Sequence, residues 1–489
     1  MKKHLIISAV ALGLVACGGD EATVTPGTER DAARQGLVYA YPAHEQLEVP
    51  TPAPIVLRFS SAVVDSNPEM FITVRDANGD EVPYSIETGI GDGQGLVLTP
   101  DERLAPRSEY TVEIDGITLE RGAAQPRTLT FTTKGLTEGP RELVASGAGD
   151  FDLLRKIPDG NTLPIMDFSS FRLQFNQPLD RTTVNYGSSV ALEGPDGVVD
   201  AHLIVHGPYM TVDPKEDLTP GVEYTLSLHS DITSTYGDAF SSNSYTFTPL
   251  DSGSRSYLTQ EVSEGTSVSM LTGKPVNMVP LEAVLLGDDN QTQQSGFLQA
   301  ELAHIPTHPD FAPLRIKRGS MLSGTDMEVL IGGEVPAGFS SGEVKIHFIS
   351  DAVGYLERNP YHPTGAAPEG TRRQLRLFMD VAITAEDPRA NGAVTQDLMH
   401  LELIGTAEIR DGRLTADAVS VAEPRVLGSE DAKSILSFFM QSEIGGNQNN
   451  IVYDGPLEVQ SWSPGEELRG FLPSDPVIIR FNRPVDMED

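Results

Sequence analysis

The chain has 489 residues, with 70 acidic against 35 basic side chains and a formal net charge of −35. That balance lacks the concentrated Lys and Arg that phosphate binding needs, so nucleic acid and anionic lipid headgroups are not expected partners. With 46 Gly, 35 Pro, few aromatics and little helical periodicity, the sequence reads as all-β, and its length allows about three or four domains.

The single cysteine, Cys17, ends the run Leu14-Val15-Ala16-Cys17, downstream of Lys2, Lys3 and an apolar stretch from Leu5 to Val15. This is the layout of a secretory signal, and the stretch is too short to cross a bilayer as a helix. The segment resembles the lipobox of bacterial lipoproteins. The resemblance implies removal of residues 1–16 and lipidation of the Cys17 thiol, and Gly18 in place of an aspartate favours the outer membrane. Multiple acyl chains hold a protein firmly on a membrane. The expected partner is therefore the membrane, through the lipid, and the expected location is extracytoplasmic, at the outer membrane or cell surface. Residues 17–36, small and polar, read as a flexible tether.

An internal repeat follows. Ile55-Val-Leu-Arg-Phe59 recurs as Phe171-Arg-Leu-Gln-Phe175 and again as Val477-Ile-Ile-Arg-Phe481. The first, third and fifth positions are apolar in each copy, the pattern of a strand burying one face, with Arg58, Gln174 and Arg480 outward. Leu104-Ala-Pro106 and Tyr110-Thr-Val112 match Leu218-Thr-Pro220 and Tyr224-Thr-Leu226, and both copies close on a strand, through Phe131 and Phe247. The spacing holds at 116 residues at both ends (171 − 55 and 247 − 131). These segments resemble the bacterial Ig-like modules of S-layer and other surface proteins, most closely at Phe175-Asn-Gln-Pro178-Leu-Asp180 and Phe481-Asn-Arg-Pro484-Val-Asp486. The first copy departs from the pattern at Ala62 and Val64. The resemblance implies β-sandwiches at 37–134 and 150–250 that act as spacers, stalks or adhesion surfaces and carry no catalytic residues. Residues 456–489 are expected to be the start of a third such domain in a longer polypeptide.

Residues 256–455, entered at Asp251-Ser-Gly-Ser254 and with the Gly445 to Asn450 stretch near their exit, carry no recognised family motif. Val344, Ile346 and Phe348 alternate with Lys345 and His347, and Leu375, Leu377, Met379, Val381 and Ile383 alternate over a longer run. Leu401 and Leu403 lead into a strand ending at the turn Asp411-Gly412, a hairpin signal. One helix is expected from Glu430 to Glu443, with Ser429 as its N-cap and Ile435, Leu436, Phe438, Phe439 and Met440 as a wide apolar face. The whole reads as a larger β-sandwich-like domain with one covering helix.

No catalytic signature emerges. The segment Gly319 to Gly324 lacks Gly-x-Ser-x-Gly spacing, and Pro306 and Pro309 break any zinc-binding helix through His304 and His308. Asp76, Asn78 and Asp80 alternate like the donors of a calcium loop, with a plain hairpin turn as the economical reading, so calcium is the one cofactor expected if any. Tyr355, Arg358, Tyr361 and His362 lie on a Pro-constrained loop suited to stacking on a sugar ring or gripping a peptide, of a surface polysaccharide or protein. The reading preferred over this is a structural loop that packs its tyrosines on the sheet. The sequence thus describes a non-enzymatic surface lipoprotein for structure, display or adhesion. A surface hydrolase or carbohydrate-binding protein using residues 256–455 is the other reading.

Overall fold

The computed structural model describes residues 35–144, 150–263, 267–280, 290–331, 335–361, 372–390, 394–410, 413–426, 430–431, 434–443, 458–463 and 478–481. Cys17 and His362 lie outside the described residues.

The first module contains β1 (Leu37–Tyr41), β2 (Gln46–Val49), β3 (Ile55–Phe59), β4 (Ile72–Arg75), β5 (Tyr84–Gly89), β6 (Gly95–Pro100), β7 (Glu109–Ile114), β8 (Thr118–Leu119), β9 (Gly122–Ala123) and β10 (Arg127–Thr133). Sheet β1-β3-β6-β5 packs on sheet β2-β10-β7-β4. Leu57, Phe59, Leu96, Val112 and Phe131 fill the space between them. Tyr110 stacks on Phe131, and its hydroxyl accepts from the Ala105 amide at 2.8 Å, which ties the Pro-punctuated corner to the core.

The second module repeats this with β11 (Leu153–Ile157), β12 (Phe171–Phe175), β13 (Val190–Gly194), β14 (Gly197–Val198), β15 (Ala201–His206), β16 (Tyr209–Pro214), β17 (Tyr224–Leu228) and β18 (Asn243–Phe247). Its sheets run β11-β12-β16-β15 and β14-β13-β17-β18. Tyr224 accepts from the Thr219 amide at 3.0 Å, the same corner bond at the same repeat position.

The third unit contains β19 (Arg255–Val262), β20 (Met278–Pro280), β21 (Gln291–Ala303), β22 (Phe311–Ile316), β23 (Met321–Gly324), β24 (Glu328–Ile331), β25 (Val335–Ser340), β26 (Val344–Phe348), β27 (Ala352–Glu357), β28 (Arg373–Ala385), β29 (Gln396–Arg410), β30 (Arg413–Ala422), β31 (Arg425–Val426), β32 (Glu430–Asp431) and β33 (Ser434–Glu443). The order β19-β33-β30-β29-β28-β26-β23-β21 returns to β19 through a β19–β21 pairing, so the expected sandwich is a closed barrel. Strands β21 and β28 are long enough to take different neighbours at their two ends. At one end they flank β23 and β26, at the other β22 and β27. Closure removes the exposed edges that an open sheet would leave.

The expected helix from Glu430 to Glu443 is instead strand β33, paired with β30 from Ser434 to Glu443. Its run of apolar residues has a different cause. Met440 and Phe438 join the barrel core, while Ile435 packs against the first module. A strand covered on both faces reads as a nearly continuous apolar run, which sequence pattern confuses with a helix face.

Arg58 and Gln174 are likewise buried rather than facing solvent, and β3 and β12 are buried along their whole length. Both modules lay the same sheet against the outer wall of the barrel. A further ribbon, β34 (Val459–Ser463) with β35 (Ile478–Phe481), pairs Val459 with Phe481 and has its irregularity just after Val459. Leu37 with Phe59 and Leu153 with Phe175 have the same geometry, each pair 22 residues apart (59 − 37, 175 − 153 and 481 − 459).

Candidate functional site

Strand β29 separates two cavities. Side chains alternate across a strand, so Leu401 and Leu403 point into the barrel while His400, Glu402 and Ile404 point out at the modules. A register irregularity between β28 and β29 falls here, with His400 at φ 55° and its amide donating to Asp380 Oδ1 at 2.7 Å. Bulges commonly re-aim side chains in this way.

On the outer side lies a polar cleft of about 160 Å³ where the barrel meets both modules. Glu402 accepts from Arg376 at 2.6 Å and from Arg155 at 3.2 Å. Burial opposes its charge, but the two guanidiniums outweigh this and hold its carboxyl below the ordinary range. Lys134 pairs with Glu423, which also lies 3.6 Å from Arg103, and Gln174 donates to Glu48 at 2.6 Å. Burial pushes His400 down to about 4, so its ring is neutral at physiological pH. These charges are matched across domain boundaries, which is the chemistry of a junction.

Beside the cleft, Arg172 reaches from the second module into the barrel wall. It is 1% exposed and donates to Ser350 Oγ at 2.9 Å and to the Asp351 carbonyl at 2.7 Å, with Asp380 at 3.2 Å. Further along, Arg315 binds Asp217 at 2.6 Å and Glu301 at 2.8 Å, and lies 4.9 Å from the Phe168 ring.

On the inner side lies an apolar cavity of about 60 Å³, lined by Leu322, Phe348, Met379, Val381, Leu403 and Phe438 among others. Three polar residues reach its lining. Asn277 bridges β33 and β21: its amide donates to the Ser437 carbonyl at 2.7 Å, its Oδ1 accepts from Phe439 at 2.8 Å, and its carbonyl accepts from Gln294 at 2.8 Å. Ser437 Oγ pairs with Thr272 Oγ1 at 2.6 Å. Gln294 holds Val344 and Thr292 through its amide nitrogen. Most of the remaining wall comes from hydrocarbon.

The sequence-predicted site residues fall elsewhere. Tyr355 is buried against the second module, where its hydroxyl donates to the Pro164 carbonyl at 2.7 Å. Tyr361 is buried against the first, accepting from the His44 amide at 3.3 Å and lying under Arg127. Arg358 pairs with Asp310 at 2.6 Å. The candidate stacking surface is therefore not formed by these rings: both pack, as the preferred reading had it, but into domain junctions, because the modules cover the barrel wall there. In the first module, Asp76 Oδ1 accepts from the amides of Asn78 and Asp80, each at 2.9 Å, an Asx-type turn that uses the carboxylate internally. Among the described residues, no group of three His, Cys, Asp or Glu side chains is placed to hold a metal ion. His308 caps a short turn, with Nδ1 2.9 Å from Thr307 Oγ1. The cavity residues were partly legible, since Phe348, Met379 and Val381 lie in runs already read as alternating strands. Gln294 carried no signal, because nothing local marks a strand glutamine as inward-facing.

Residues 31–133 and 155–249 match the bacterial Ig-like domain. The class is thus a protein in which two bacterial Ig-like domains sit on a closed antiparallel barrel. The chain is 33% identical, over 526 aligned positions, to alkane uptake protein B of Marinobacter nauticus (strain ATCC 49840 / DSM 8798 / CIP 103578 / SP17). That alignment takes in 97% of this chain and 49% of the relative, so the chain spans about half the length of the curated relative it matches. Among solved structures, CopC from Methylosinus trichosporium OB3b is 22% identical, covering 20% of this chain and 93% of CopC with a TM-score of 0.18. The surface layer protein SbsC, domains 1–6, is 9% identical, covering 91% of this chain and 66% of that one with a TM-score of 0.17.

Proposed function

We propose that the chain is an extracytoplasmic, surface-associated protein whose barrel binds the end of a hydrocarbon chain during uptake, with no catalytic step of its own. The observation that carries this reading is the cavity inside the barrel, walled almost entirely by Leu, Val, Met, Ile and Phe. The relative's name, alkane uptake protein B, supports the same class of ligand. At about 60 Å³ the cavity is smaller than the roughly 150 Å³ that takes a benzene ring, so it suits the tip of an alkyl chain. Met278 and Met379, with flexible thioethers, line it and can give way as a chain enters.

The test is direct. Binding of radiolabelled n-hexadecane by the chain is compared with binding by Ala422→Phe, since Ala422 lines the cavity and is 3% exposed. The ring would fill the space, and overpacking would cost about 1–3 kcal/mol of stability. Binding is expected to fall at least about tenfold, the equivalent of roughly 1.4 kcal/mol. Equal binding by a folded variant would remove the cavity from the function.

The same reading attaches the chain to a membrane through lipid on Cys17, with the Ig-like domains seating the barrel beside it. Its support is the lipobox-like sequence. Cys17→Ser should shift the protein from membrane to soluble fractions, and unchanged membrane retention would defeat the anchor.

A further inference from the structure

We infer that an alkyl chain enters the barrel sideways, through a gap between β29 and β30 that opens onto the polar cleft and is gated by Leu398 and Leu401. The inference rests on the barrel reading above and adds the route.

The gap begins where one ladder stops. Strands β29 and β30 pair from Arg410 with Arg413 to Ile404 with Val419 and, among the described residues, no further, although both strands continue. Beyond that point β29 follows β28, with Leu401 opposite Met379 and Leu398 opposite Val381. Strand β30 follows β33 instead, with Ser420 opposite Leu436 and Ala422 opposite Ser434. Main-chain groups freed in this way need other partners. Side chains supply them: Ser420 Oγ donates to the Glu402 carbonyl at 2.9 Å, and the Tyr41 hydroxyl is hydrogen-bonded to the Val421 backbone.

The two cavities meet at this gap. Glu402, Ser420, Val421 and Glu423 line the cleft, and Leu403, Ala422 and Pro424 line the apolar cavity. Leu398 and Leu401 line both. The register irregularity of β29 falls between these two leucines. With no ladder bond between the strands here, side chains stand between the two spaces, and side chains change rotamer far faster than paired strands separate. Toward its ends the barrel is filled. At the end nearer the cavity, Val329 and Phe339 of the β24–β25 hairpin join a cluster with Val344, Ile383 and Ala385. Toward the other end, Leu375, Leu377 and Leu414 belong to the core.

The two lips of the gap are held by different domains. Glu402, on β29, binds Arg155 of the second Ig-like domain, and Glu423, just after β30, binds Lys134 of the first. The Ig-like domains therefore brace opposite sides of the opening, and the cleft between them is its vestibule.

The experiment closes the gap by cross-linking. In a Cys17→Ser background, Leu401→Cys and Ala422→Cys place one thiol on each lip, since extending the ladder's register sets these positions opposite each other. A short bifunctional thiol reagent then ties the lips together. Capture and release of radiolabelled n-hexadecane by the whole chain are timed by rapid filtration before and after linking. Both rates should fall at least about tenfold, because a gate slows entry and exit alike, whereas a filled cavity weakens binding by speeding release. Leu398→Ala, which trims the gate, should raise both rates. Unchanged capture by the linked protein would overturn the route while leaving the cavity as the hydrocarbon site. Absence of capture by the unmodified chain would instead overturn the barrel reading itself. Should the double variant fail to fold or to link, Leu398→Ala decides: capture and release no faster than in the unmodified chain would overturn the route.

Discussion

The two Ig-like domains share a core and differ in how they meet the barrel. In the first, Tyr39 reaches the wall with its hydroxyl donating to the Ile404 carbonyl at 2.9 Å, among Val419, Val421 and Leu271. At the matching repeat position the second domain has Arg155, bound to Glu402. Val56 in the first corresponds to Arg172 in the second, whose guanidinium is buried against Asp380. Val97 corresponds to Thr211, which donates to Asp380 at 3.0 Å. The inward positions, Leu57 and Leu173 or Phe59 and Phe175, are alike because each fills the same sandwich. The outward positions answer to the piece of barrel they touch. The first domain combines apolar burial with polar ties from Arg58 to the Met270 carbonyl and from Lys134 and Arg103 to Glu423, whereas the second rests on a fully buried ion pair.

That contrast can be broken most sharply at Arg172. Arg172→Val, which installs the first domain's residue, leaves Asp380 buried without its cation and should cost about 3–5 kcal/mol in chemical denaturation. Adding Asp380→Val should recover only part of the loss, since it removes the unpaired charge but also strands the Thr211, Ser350 and His400 donors that Asp380 accepts from. A small effect of the single change would mean that the second domain is not held by this ion pair.

A pH series probes the second domain's contact with the barrel less drastically. Burial, with the Asp351 carboxylate nearby, pushes Asp213 up to about 7, so the folded state holds a proton there that the unfolded chain releases near pH 4. The stability from that proton is fully present below about pH 4 and is lost as pH rises through about 7. His400 has the opposite sign, because its folded value near 4 lies below the unfolded value of about 6.5, so its contribution is lost as pH falls through that window. Asp213→Asn should therefore reduce the loss toward pH 8, the remainder coming from Glu357 and Asp417, which burial raises to about 7 and about 6, and should leave the loss on acidification, seen in melting temperature from pH 4 to 8. An unchanged profile would show that Asp213 does not carry the alkaline slope.

The smallest effect is expected in the first domain. Tyr39→Phe removes one buried hydrogen bond but keeps the ring, and should cost about 1 kcal/mol. A loss as large as that of Arg172→Val would erase the distinction between the two contacts.

Much of the fold was legible because the physical cause was local. The apolar alternation of Phe171, Leu173 and Phe175, and the Tyr224 corner, depend on residues close in sequence to the strands they pin. Strand β28 was legible for the same reason, its odd-numbered residues from Leu375 to Val381 facing one core. Strand β33 was misread because both of its faces are covered, one by the barrel core and one by the first domain. The candidate site was less legible still. Tyr355 and Tyr361 were rightly picked out as amphipathic rings, but their partners, Pro164 and His44, lie in other domains.

Alternation along the chain, turn chemistry and the recurrence of one strand pattern determined by themselves that this protein is all-β with paired sandwiches, since each follows from a residue and its near neighbours. Tertiary structure alone decided that the third unit closes into a barrel, that the outward positions Arg58 and Gln174 are buried, and that β29 separates a polar cleft from an apolar cavity. A local pattern records that a face is covered; what covers it depends on surfaces hundreds of residues away.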